Sequence, residues 1–173
     1  KEDYLKCIYE IGTEMQKITN KEIAARMQVS PPAVTEMIKR MKSENLILKD
    51  KENGYLLTDI GLKLVSELYR KHRLIEVFLV HHLDYTSDQI HEEAEVLEHT
   101  VSDLFVKRLD KLLGFPQTCP HGGTIPAEGE LLVEINNLPL AAVQEAGTYL
   151  LTRVHDSFEL LKYLEKHAIH IGD

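Results

Sequence analysis

The stretch Asn20–Lys42, "NKEIAARMQVSPPAVTEMIKRMK", decides the fold of the N-terminal third of the chain. Thr19 or Asn20 is placed to cap a helix, Glu22 lies in its first turn, where a carboxylate meets the positive helix end, and Ile23, Ala24 and Met27 share one face. A short Gln-Val-Ser turn follows, and Ser30 is placed to cap a second helix. Pro31 suits its first position, where the missing N–H would have no partner anyway. Val34, Met37, Ile38 and Met41 then repeat with helical period through Lys42. Two short helices across a tight turn make a helix-turn-helix unit.

On the N-terminal side, residues 3–14, "DYLKCIYEIGTE", space Tyr4, Cys7 or Ile8, and Ile11 on one face, which predicts a first helix ending near Gly12. On the other side, "LILKDKENGYLLT" (46–58) holds two β-prone runs around Asn53-Gly54, a strong hairpin signal. Three helices followed by a hairpin is winged-helix order. Thr58-Asp59 opens a long, proline-free helix, and residues 86–114, "TSDQIHEEAEVLEHTVSDLFVKRLDKLLG", hold two more, broken between about His99 and Asp103 and closed at Gly114. Three apolar-faced helices without a sheet need a surface to bury against, and a second copy of the chain is the natural one. Pro116, Pro120, Pro126 and several glycines then mark a loop. "GTYLLTRV" (147–154) reads as a strand and "DSFELLKYLEKH" (156–167) as a capped helix. A strand and a helix make a poor domain on their own, so this part reads as the start of a small truncated module.

The 173 residues carry a net charge of −8, unevenly spread. Residues 1–62 hold ten basic and ten acidic side chains and residues 63–113 seven and ten, whereas residues 114–173 hold three and eight. The acidity therefore leaves a DNA-binding N-terminal segment open. No apolar run approaches the ~18 residues of a membrane span. Cys7 and Cys119 form no CxxC pair, and no basic-then-apolar leader is present, so the reading places the chain in the cytoplasm, off the membrane.

The helix around "IHEEAEVLEH" (90–99) has two adjoining faces. Ile90, Ala94, Leu97 and Val101 form an apolar stripe, and His91, Glu95, Glu98 and His99 gather beside it. By spacing alone the second face reads either as a solvated polar surface or as a set of metal ligands. Glu95, Glu98 and His99 stand at i, i+3, i+4, the spacing by which helices converge ligands, and Asp3 offers a further oxygen. His72 and Glu76 form an i, i+4 pair, and Cys119 and His121 flank a proline. An H-E-x-x-H protease site needs histidine where the chain has Glu95, and no Ser/His/Asp elbow, P-loop or G-x-G-x-x-G occurs, so nothing suggests an enzyme. On the second helix of the helix-turn-helix, Ser30, Pro32, Ala33, Thr35 and Glu36 are placed to meet base edges. Lys39, Arg40 and Lys42, with Lys49 and Lys51 of the hairpin, are placed to meet phosphates.

Taken together, "DYLKCIYEI", "SPPAVTEMIKRM", "RKHRLIE", "HEEAEVLEH" and "TCPHGG" resemble the diphtheria-toxin-repressor family of metal-dependent transcriptional repressors, most closely its streptococcal manganese-responsive members. The resemblance implies a mainly α chain in three parts: a winged helix-turn-helix DNA-binding domain (1–62), a helical dimerisation and metal-binding domain (63–141) and the truncated start of an SH3-like domain (142–173). It implies a primary metal site of Asp3, Glu95, Glu98 and His99 and a secondary site of His72, Glu76, Cys119, His121 and Asp156. His91 matches a second-site ligand of the iron-responsive branch only. Iron-responsive members carry Met and Cys where this chain has Asp3 and Glu95, and an oxygen-rich set favours Mn²⁺, with Zn²⁺, Cd²⁺ or Fe²⁺ as substitutes. Lys6 stands where some manganese regulators place a second carboxylate, which argues for two separated sites over a bridged pair. The implied function is a manganese-activated homodimeric repressor of metal-uptake genes on double-stranded operator DNA, in which the ion fixes the dimer geometry. The alternatives are a winged-helix regulator that senses iron, zinc or a small organic ligand and, less well supported, a metal-dependent hydrolase.

Overall fold

In the computed structural model, which describes residues 1–14, 16–86, 88–135, 138–155 and 157–173, the helix-turn-helix forms as its sequence dictates. Helix α1 (Glu2–Thr13) precedes α2 (Asn20–Met27) and α3 (Pro31–Ser43). The Thr19 hydroxyl caps α2 by accepting the Glu22 N–H at 3.2 Å, and Gln28 closes it in the left-handed conformation, φ 52°. Ser30 holds the N-cap position of α3, but its hydroxyl makes no capping bond. The reason lies in the next two residues: Pro31 and Pro32 have no N–H, so the first turn offers fewer donors to cap.

Strands β1 (Ile47–Asp50) and β2 (Gly54–Leu57) pair antiparallel, Ile47 opposite Leu57 and Asp50 opposite Gly54. The turn is held by Asp50, whose Oδ1 accepts the N–H groups of Glu52 (3.0 Å) and Asn53 (2.7 Å). The Asn53 N–H bond, with the others, keeps this carboxyl below its ordinary pKa. Gly54 has φ +85°, and a Cβ there would lie 1.9 Å from the Ile18 carbonyl oxygen, so the hairpin tip can close on the α1–α2 connection only with glycine.

The described chain divides into two compact units, residues 1–68 with 128–132, and residues 69–127 with 133–173. In the first, Leu5, Ile8, Ile11, Ile23, Val34, Ile38, Met41 and Leu46 are buried. Each such side chain stabilises by about 1.5–3 kcal/mol relative to exposure. In the second, the core joins Leu74, Ile75, Val77 and Leu79 to Ile90, Ala94, Val106, Leu109, Cys119 and Ile125. These come from α4 (Asp59–Leu83), α5 (Ile90–Glu98), α6 (Asp103–Leu112) and the loop that follows. A buried Arg70–Asp110 pair, 2.7 Å, ties α4 to α6.

Helix α7 (Phe158–Lys166) forms where the sequence predicts it. The strand expected over 147–154 does not. Among the described residues its backbone bonds are isolated, Leu151 exchanging bonds with Asp173 O and Gly172 N–H and Val154 N–H donating to His121 O, and an extended run without a neighbouring strand has no ladder to join.

Candidate metal centre and nucleic-acid interface

Within the second unit, α4 carries His72 and Glu76 one turn apart, and packing has removed both from solvent, to 2% and 1% exposure. His72 Nε2 lies 3.1 Å from Glu76 Oε1, and His72 Nδ1 lies 2.5 Å from Glu98 Oε2 at the end of α5. The same Glu76 oxygen is 3.4 Å from His121 Nδ1. Cys119 and His121 sit on a small closed turn. Thr118 bridges to Thr124, Cys119 N–H donates to Gly123 O, and Gly122 N–H donates to Cys119 O, both at 2.9 Å. Glu76, Cys119 and His121 bring one oxygen, one sulfur and one nitrogen within 4.8 Å of one another. His91, which the resemblance matches only to the iron-responsive branch, also comes in. Its ring stands edge-on to His72 with centroids 5.0 Å apart, and His72, Glu76 and His91 make a second group within the same limit.

Burial alone would push Glu76 toward the neutral form. The imidazoles of His121 and His72 beside it outweigh this and hold the carboxyl well below the usual carboxylate range. Burial pushes the Cys119 thiol up, and the His121 contact offsets only part of this. The set is therefore an anionic, desolvated O/N/S cluster whose thiol must surrender a proton to bind, a donor chemistry that fits a divalent transition ion.

The predicted primary set has a different setting. Glu98 is buried, with a side chain 1% exposed, and its second oxygen lies 3.6 Å from His99 Nε2. His99 ends α5 as its C-cap. Glu95 is half exposed and faces His91 at 3.6 Å. Asp3 is in the other unit, exposed in the first turn of α1. Asp156 lies outside the described residues. Arg73 and Glu134, which hold the Cys119 turn, were missed. They are 61 residues apart and make contact only through folding.

In the first unit, Val34, Ile38 and Met41 bury one side of α3, and Ser30, Pro32, Ala33, Thr35, Glu36, Lys39, Arg40 and Lys42 are all exposed, as are Lys49 and Lys51 on the hairpin. Two of these are already engaged. Arg40 pairs with Glu44 at 3.0 Å. The Thr35 hydroxyl donates to Pro31 O at 3.0 Å and accepts from Asn20 Nδ2 at 3.2 Å, while Asn20 Oδ1 accepts from the Tyr55 hydroxyl of β2 at 2.8 Å.

Residues 1–55 match the family described as the iron-dependent repressor N-terminal DNA-binding domain, and residues 58–127 match the iron-dependent repressor metal-binding and dimerisation domain. The chain is 33% identical over 153 residues to the iron-dependent repressor IdeR of Mycobacterium tuberculosis, covering 88% of this chain and 65% of that protein's length. It is 32% identical over 155 residues to the diphtheria toxin repressor of Corynebacterium diphtheriae, with 88% and 69% covered. Among solved structures, ScaR with bound Zn²⁺ is 70% identical, with a TM-score of 0.92 over 99% of this chain and 80% of the other. The apo form of the manganese-activated repressor ScaR is 69% identical, TM-score 0.92, with 98% and 81% covered. With both domain families matched in order and a helix-turn-helix and a buried His/Glu/Cys cluster in place, this chain belongs to the iron-dependent repressor family of metal-dependent, DNA-binding transcriptional repressors typified by the diphtheria toxin repressor.

Proposed function

We propose that the chain is a manganese-activated, sequence-specific repressor that binds operator DNA as a homodimer, with metal-uptake genes as its targets. The observation that carries the metal requirement is the sharing of His72 by two buried carboxylates, Glu76 and Glu98. The imidazoles around these two buried carboxylates, His72, His121 and His99, carry charge only when protonated, and a divalent cation supplies a fixed positive charge in their place. The oxygen-rich primary set proposed from the sequence, Asp3, Glu95, Glu98 and His99, selects manganese over softer ions. Its ion fixes the dimer geometry that operator binding needs. The secondary set is Glu76, Cys119 and His121, with His72 beside them and Asp156 as its further oxygen.

The ions themselves would supply positive charge and a fixed coordination geometry. The protein's residues do the rest: His72 orients two carboxylates, the Cys119 turn presents sulfur and nitrogen together, and α3 offers its exposed side to the major groove. Leu104, Phe105 and Leu112 stand exposed on α6, apolar surface of the kind a second copy covers. The ionic radius and softness of the activating metal are open to one competing reading, because a Cys119 thiolate also favours Zn²⁺.

The test is DNA binding by the purified protein, using fragments it selects from a random library in the presence of Mn²⁺. Tight binding with Mn²⁺ and loss of binding with chelator support the reading, and Glu95→Ala should reproduce the chelated behaviour. Equal binding in both conditions overturns metal activation. Binding restored by Zn²⁺ at lower free concentration than Mn²⁺ favours the zinc reading. Regulation by a small organic ligand predicts instead that Glu95→Ala leaves DNA binding intact.

A further inference from the structure

Arg73 follows His72 on α4 and is buried, its side chain 8% exposed. Nη2 lies 2.5 Å from Glu134 Oε1, whose side chain is itself 9% exposed, and Nη1 donates to the Thr124 carbonyl. The other Glu134 oxygen accepts the Thr124 N–H at 3.3 Å. Both backbone groups of Thr124 are therefore engaged by one buried ion pair. Thr124 is the residue that bridges to Thr118 and so closes the turn bearing Cys119 and His121. Gly123, beside it, has no room for a side chain, since a Cβ would lie 2.8 Å from the Arg73 guanidinium carbon. Arg153 adds a contact to the same Glu134 oxygen at 3.1 Å, and Val154 N–H donates to His121 O at 3.0 Å.

The consequence is geometric. Glu76 is on α4, one turn beyond His72, whereas Cys119 and His121 are on the turn. The Arg73–Glu134 pair joins that helix to that turn, so it fixes how far the sulfur and imidazole stand from the carboxylate. We propose that Glu134 is a positioning residue for metal binding: through Arg73 and Thr124 it presets Cys119 and His121 against Glu76, and touches no ligand itself. The inference rests on the reading of Glu76, Cys119 and His121 as a metal set, and supporting groups behind metal ligands typically change affinity by about 10–100-fold.

Cd²⁺ provides the probe, because thiolate coordination gives an ultraviolet charge-transfer band that reports Cys119 directly. Titration of the wild-type chain should give the band, and Glu134→Gln, which keeps size but not charge, should weaken Cd²⁺ affinity at this set by about tenfold or more. Gly123→Ala, which presses on the same guanidinium, should act in the same direction. Neither change should alter Mn²⁺ affinity at the primary set, a distinction that general loss of structure would not produce, and far-UV circular dichroism checks the fold. In a His121→Ala background, Glu134→Gln should cost less Cd²⁺ affinity than in the wild-type chain, because only Cys119 is then left to position. Wild-type Cd²⁺ affinity in both Glu134→Gln and Gly123→Ala overturns the positioning role and leaves the metal set standing. Absence of the band in the wild-type chain overturns the metal set and the positioning role with it.

Discussion

His72 Nδ1 and Glu98 Oε2 lie 2.5 Å apart, so the imidazole of α4 is joined directly to the carboxylate that ends α5. Its other nitrogen faces Glu76. One ring thus connects a residue of the proposed secondary set to one of the proposed primary set, and to ligate an ion itself it must give up one of those carboxylates. Glu98 in turn places one oxygen toward His72 and the other toward His99.

Replacing His72 should therefore disturb both sets. His72→Ala leaves two buried carboxylates without their shared partner, and Mn²⁺ affinity is expected to fall by about 10–100-fold. Electron paramagnetic resonance of free Mn²⁺ during titration measures this. Unchanged affinity would show that the ring has no part in holding either carboxylate for metal.

The pH dependence of Cd²⁺ or Zn²⁺ binding at Cys119 follows from its thiol, whose pKa burial raises above the ordinary value. At neutral pH the thiol is protonated, and the ion must displace that proton. Affinity should rise by about tenfold for each pH unit up to the thiol's own pKa, one proton being released per ion. Cys119→Ser should remove the thiol's contribution and flatten the profile. Isothermal titration in buffers of different ionisation enthalpy counts the proton, and a count near zero would mean that the sulfur does not bind.

The elements that rest on local chemistry were legible in the sequence. Thr19, the Ser-Pro-Pro start of α3 and Asn53-Gly54 act within a few residues, and each marks the element predicted from it. Glu76, Cys119 and His121 of the proposed secondary set were legible partly through spacing and partly through resemblance. Their distances were not, because the turn that aims Cys119 is fixed by Arg73 and Glu134, far apart along the chain. The strand predicted over 147–154 failed for a related reason. β-prone residues make a strand only where another segment offers a ladder, which is a property of distant sequence. The missing cap bond at Ser30 shows the opposite limit, a local signal cancelled by the two prolines after it.

Gly54→Ala should destabilise the winged helix by about 2 kcal/mol or more. It combines a left-handed backbone, φ +85°, with a side chain forced to within 1.9 Å of the Ile18 oxygen. Thermal unfolding followed by circular dichroism reads the change, and an unaltered midpoint would mean that the hairpin tip moves off Ile18 at little cost. Metal affinity at the Glu76, Cys119 and His121 set should be retained, since those residues belong to the other unit.

The α3 and hairpin residues should separate into two classes when DNA binding is measured against salt. Lys39, Lys42, Lys49 and Lys51 are exposed and lie on elements that face the groove and backbone in winged-helix docking. For a phosphate contact, each substitution by alanine removes one counterion-releasing charge per subunit. The slope of log affinity against log salt should then fall by about 1.8 for a dimer, at about 0.9 per contact, with the preferred sequence unchanged. Arg40 should give a smaller change, because Glu44 already holds its guanidinium at 3.0 Å. Glu36→Ala and Ala33→Gly should do the reverse, leaving the slope alone and relaxing base preference in a fresh random-library selection, each lost base contact being worth about 1–3 kcal/mol. Lysine variants that alter base preference, or Glu36 variants that change only the salt slope, would exchange these roles and require α3 to enter the groove on a different face.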